Sequence, residues 1–62
     1  MKDKDLLKLL LYNGWRVKRI SGSHYILSKD GLIETVPVHG KDVAPGLLNA
    51  ILKHTGLKKE NL

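Results

Sequence analysis

Residues 15–38, WRVKRISGSHYILSKDGLIETVPV, decide the fold. Helices and strands leave different periodicities in a sequence, 3.6 and 2 residues, and here the shorter period dominates. Trp15, Val17 and Arg19 alternate with Arg16, Lys18 and Ile20, which predicts a strand with the first set on one side and the second on the other. Ser21-Gly22 reads as a turn, after which His24 to Ser28 resumes the extended pattern. Lys29-Asp30-Gly31 is a second turn, because Asp-Gly tolerates the positive φ of a tight hairpin. Leu32 to about Val38 is rich in β-branched residues and reads as a third strand. Pro37 near its end predicts an edge position or a bulge, since proline has no N–H to give to a ladder.

Helices are expected on both sides of this meander. Leu6, Leu7, Leu10 and Leu11 follow the three-four spacing of one apolar stripe, with Lys4 and Lys8 on the other side. Asp3 or Asp5 is expected to cap this helix, and Asn13-Gly14 to stop it. After a loop at His39-Gly40-Lys41-Asp42, Pro45 suits the first turn of a second helix carrying Leu48, Ile51 and Leu52. Gly56 is its stop, with Leu57 folding back on the last turn. The polar tail from Lys58 is expected to fray unless Leu62 docks.

Two apolar helix stripes need the same sheet face. The expected fold is therefore a single α+β domain over residues 1–62, a two-layer α-β-β-β-α sandwich. Its antiparallel three-stranded sheet carries both helices on one face and leaves the other open, an architecture like that of a double-stranded-RNA-binding domain.

Composition narrows the function classes. The 62 residues contain no cysteine, which excludes disulfides, thiolate–zinc sites and a thiol nucleophile. No apolar run approaches the roughly 18–20 residues of a membrane span, and no signal-peptide pattern opens the chain. A soluble, cytoplasmic protein is expected. Eleven Lys and Arg against six Asp and Glu give a net charge of +5, which favours a polyanionic partner, nucleic acid first.

The candidate chemistry centres on histidine, the side chain whose ordinary pKa lies nearest neutrality. His24 follows a small, flexible Ser-Gly-Ser segment through which a phosphate could approach the backbone. Two readings are open: a general base toward a hydroxyl, or an ordinary surface residue of a strand. Arg16, Lys18, Lys29 and Lys41 are candidates for holding a phosphate, with the backbone N–H groups of Ser21, Gly22 and Ser23. Tyr25 could stack on a base, although alternation puts it opposite His24. His39 is either a second proton-transfer group or the residue that pins the loop before the second helix. His54, in a last helical turn, is read as structural, since a cationic ring suits the helix dipole there. The histidines at 24, 39 and 54 lack the short spacings of metal motifs, no phosphate loop is present, and neither a metal nor a cofactor is expected.

NGWRVKRISGSHYIL followed by VPVHGKDVAPGLLNAILKHTGL closely resembles the HicA family of toxin ribonucleases from toxin–antitoxin modules. Four landmarks carry the likeness in order: Gly14-Trp15, Gly22-Ser23-His24, Val36-Pro37-Val38-His39, and Ile51-Leu52-Lys53 through Gly56. The resemblance implies a ribosome-independent, mRNA-cleaving toxin with the fold just described, inhibited by a HicB-type antitoxin that covers the site. The family's essential histidine falls on His24, and the histidine after its Val-Pro-Val strand falls on His39. Tyr25 departs from the pattern, standing where relatives commonly have a second histidine. Other classes compatible with the residues are a non-catalytic RNA-binding module, a DNA-binding regulator, and a purely structural partner. The regulator is disfavoured by the lack of helix-turn-helix spacing or a basic recognition helix.

Overall fold

The computed structural model describes residues 1–57, so the expectations for the tail from Lys58 lie outside the described residues. The elements are α1 (Asp3–Tyr12), β1 (Arg16–Ser21), β2 (His24–Lys29), β3 (Leu32–Pro37) and α2 (Pro45–Thr55). The strands form one antiparallel sheet in the order β1-β2-β3, so both β1 and β3 are edge strands. Pro37 accordingly sits at the end of an edge strand, as its missing N–H requires.

Both hairpins are tight. Lys29 pairs with Leu32 across a two-residue loop in which Asp30 and Gly31 have φ of 51° and 82°. Two successive positive φ values give the turn whose twist matches the flanking strands. Ser21 pairs with His24, so the first loop is Gly22-Ser23, one residue later than the sequence suggests.

The expected alternation of β1 holds for only half its length. Arg16 pairs with Ser28 and Val17 with Leu27, but the next pair is Arg19 with Ile26, followed by Ile20 with Tyr25. Lys18 is thus the extra residue of a β-bulge. Because side chains alternate strictly, one inserted residue moves everything after it to the opposite face. Arg19 joins Arg16, and Ile20 joins Val17, which corrects both assignments made from the sequence.

The core lies between the helices and one sheet face. Leu6 and Leu10 of α1, Leu27 and Val36 of the sheet, Ile51 and Leu52 of α2, Trp15 and Val43 form a single buried cluster. Leu7, Val38, Leu48 and Leu57 pack against it, so Leu57 folds back as expected. Leu11 does not join the stripe and is 42% exposed. Each fully buried leucine contributes about 1.5–3 kcal/mol. A chain of this length has roughly 3–9 kcal/mol of total stability, at about 0.05–0.15 kcal/mol per residue. A few such side chains therefore decide whether it folds.

Neither aspartate caps α1. The N-cap is Lys2, which makes no side-chain capping bond. Asp3 stands at the first helical position, and its carboxylate is taken instead by N–H groups of the loop before α2. Among the described residues no helix is long and apolar enough to cross a membrane.

Candidate nucleic-acid interface

Strand register sorts the candidate residues. Leu27 and Val36 are fully buried, so Tyr25, Leu27 and Lys29 with their partners Val36, Glu34 and Leu32 face the helices. His24, Ile26 and Ser28 with Pro37, Thr35 and Ile33 face the other way. The bulge adds Arg16, Arg19 and Ser21 to that open face. Glu34 is the one carboxylate in the three strands, and it belongs to the helix side. The open face thus carries two exposed arginines and an exposed histidine with no acid at any of its register positions. A surface of this kind attracts a phosphodiester backbone.

His24 is exposed and sits where three features meet. Ser21 stands opposite it on β1 and Pro37 on β3, and the Val38 N–H donates to the Ser23 carbonyl at 2.7 Å. Gly22, with φ of 60°, has nothing within 4 Å of where a Cβ would stand, so the first turn is open to an approaching group. His39 lies two residues past Pro37, which brings both histidines and the Gly22-Ser23 turn to the same end of the sheet. Lys41 belongs to the same loop as His39 and is exposed.

The other cations are distributed differently from what their spacing implies. Arg16 shares the face of His24 but stands opposite Ser28, about 13 Å along the sheet at roughly 3.3 Å per residue. Lys18 is the bulge residue. Lys29 is on the helix side, and its ammonium donates to the Asn13 carbonyl at 2.7 Å, tying the end of α1 to β2. Arg19, opposite Ile26, is the strand cation nearest His24 on this face. Sequence alternation places Arg19 on the other face, and no residue type in RVKRIS marks the bulge that moves it.

His54 pairs with Glu34, joining the last turn of α2 to β3. This is the structural role expected of it, with a strand carboxylate as the partner. Among the described residues no group of three or more His, Cys, Asp or Glu could hold a metal ion.

The His39 loop has an anchor to which spacing does not point. Asp3 is 2% exposed, and its Oδ2 accepts the N–H of His39 at 2.8 Å and of Lys41 at 3.1 Å. The Asp3 N–H in turn donates to the Lys41 carbonyl at 2.9 Å, and the Val43 N–H to the Met1 carbonyl at 2.9 Å. Burial by itself pushes the Asp3 carboxyl up, but the N–H groups of His39, Lys41, Lys4 and Gly40 outweigh it and leave the pKa below its ordinary value. A recess of about 200 Å³ lies beside this anchor, walled by Asp3, Pro37, His39, Val43 and Leu47 among others. A larger concavity of about 370 Å³, on α1 around Leu9 and Tyr12, has none of the candidate residues in its wall.

The element order and the sheet with one open basic face define a small α+β module of α-β-β-β-α layout. A family model described as the HicA toxin of bacterial toxin–antitoxin systems matches residues 4–57. The chain belongs to that family, and as a toxin of a toxin–antitoxin pair it has a cognate antitoxin as its counterpart. Neither a curated protein nor a solved structure matches it.

Proposed function

We propose that this chain is an endoribonuclease that cleaves mRNA independently of the ribosome, with His24 as general base. The observation that carries this reading is the exposed His24 on a sheet face that bears Arg16 and Arg19 and, among the described residues, no carboxylate at its register positions. RNA laid along that face has its phosphates balanced by the arginines. The imidazole takes the proton of a ribose 2′-OH, and the 2′-oxygen attacks the adjacent phosphorus. The P–O5′ bond breaks, leaving a 2′,3′-cyclic phosphate and a 5′-hydroxyl. Such proton transfer contributes about 10²–10⁴-fold. Arg19, Lys41 and the N–H groups of the Gly22-Ser23 turn steady the charge that develops on the phosphate. His39 is the second proton-transfer group, serving the leaving oxygen. The reaction runs in the cytoplasm, and a HicB-type antitoxin inhibits it by covering the open face.

Purified RNA incubated with wild type and with His24→Ala tests this. Scission is expected from wild type alone, with cyclic-phosphate ends, and none at a site whose attacking 2′-hydroxyl is replaced by deoxyribose. Cleavage of the deoxy substrate sinks the mechanism. Equal RNA retention by both proteins with scission by neither establishes a non-catalytic RNA-binding module instead. In cells, growth arrest on induction of wild type, its loss in His24→Ala and rescue by the adjacent antitoxin gene are the matching outcomes.

A further inference from the structure

A carboxylate removed from water is costly unless its lone pairs find donors, so a buried aspartate at a helix start normally serves its own helix. Asp3 does not. Its Oδ2 takes two N–H groups from residues 39 and 41, which are 36 and 38 positions away in sequence. The same oxygen lies 3.9 Å from His39 Nδ1, while the His39 ring remains half exposed. The loop it holds starts directly after Pro37, the residue opposite His24. Of the loop's other ties, the Lys2–Asp42 ion pair at 3.8 Å is exposed on both sides and contributes little. Backbone bonds to residues 1–3 fix where the loop runs, but among the described residues only the Asp3 carboxylate also faces the imidazole.

We propose that Asp3 is a positioning residue of the ribonuclease site. Its carboxylate holds the His39–Lys41 loop and orients the His39 ring with Nδ1 inward and Nε2 toward the substrate. This rests on the reading of His39 as the group that serves the leaving oxygen. In that step the imidazolium gives its Nε2 proton to O5′ as the P–O5′ bond breaks, and the ring is left neutral with its proton on Nδ1. A negative charge beside Nδ1 favours that tautomer. The physical role is that of the carboxylate which orients a catalytic histidine in other hydrolases. Asp3 itself touches no substrate.

Asp3→Asn keeps the size and an acceptor oxygen but removes the charge. The variant is compared with His39→Ala and with the double variant, using turnover per folded molecule and ring ¹⁵N spectra of His39. Asp3→Asn is expected to lower kcat by about 10- to 100-fold, with KM for RNA within about twofold. The double variant is expected to be no slower than His39→Ala. In wild type the neutral His39 ring is expected to carry its proton on Nδ1, and in Asp3→Asn the ring signals are expected to move toward the Nε2–H form. Unchanged kcat with only a lowered melting temperature, or losses that multiply in the double variant, overturn the proposal. If wild type cleaves no RNA, the ribonuclease reading fails separately, and an identical His39 tautomer with and without the Asp3 charge overturns the positioning role. Should Asp3→Asn not fold, the wild-type ring spectrum decides: an Nε2–H tautomer overturns the assignment.

Discussion

Arg19 pairs with Ile26, and so lies on the same sheet face as His24, because Lys18 is an extra residue in β1. The bulge converts a strand whose cations would be split between two faces into one that presents Arg16 and Arg19 together.

Arg19→Ala should therefore weaken RNA binding and reduce the slope of log affinity against log salt by about one, as expected for one lost phosphate contact. Titrations of His24→Ala, with and without the Arg19 change, measure this without cleavage of the RNA. An unchanged slope would remove Arg19 from the interface.

Lys29→Met should behave in the opposite way. Its ammonium is committed to the Asn13 carbonyl on the helix side, so its loss should cost about 1 kcal/mol of stability in a urea melt. RNA affinity should change by less than about twofold. A larger loss of affinity than of stability would show that Lys29 reaches the nucleic acid.

Acid should loosen the His39 loop through Asp3. The folded-state pKa of Asp3 lies below its ordinary value, so its contribution to stability is fully present above about pH 4, the unfolded value, and is lost as pH falls through the folded one. Urea midpoints measured from pH 6 downward should fall less steeply below about pH 4 for Asp3→Asn than for wild type. Parallel curves would contradict the hydrogen-bond geometry.

Two glycine-to-alanine changes should have opposite signs. Gly31 has φ of 82°, and alanine there is strained, with an expected loss of about 1 kcal/mol. Gly46 lies in the first turn of α2 without a positive φ and with open space around it. Alanine there should add up to about 1 kcal/mol by lowering the entropy lost on folding. Thermal melts of the two variants check both.

The helix stripes, the Asp-Gly hairpin, the edge position of Pro37 and the Pro45–Gly56 limits of the second helix are legible in order, because each rests on local chemistry. Periodicity, a turn's φ and a missing N–H act within a few residues and leave their mark in the letters. The position of His24 at the start of β2, after a glycine turn, is legible too, and the resemblance at Gly22-Ser23-His24 makes it the residue to test. Asp3 reads as a cap for the same local reason, and that reading fails because its partners are distant. Charge alone groups Lys29 with the phosphate-holding residues, and charge says nothing of face.

Element order, the meander and the family landmarks are all written in the letters, since they follow from short-range preferences and spacing. The Lys18 bulge, the sharing of a face by His24 and Arg19 rather than Lys29, and the hold of Asp3 on the His39 loop emerge only once the chain is folded. Each of these depends on register or on a bond between segments far apart in the chain, and a shift of one residue in pairing reverses every side chain beyond it.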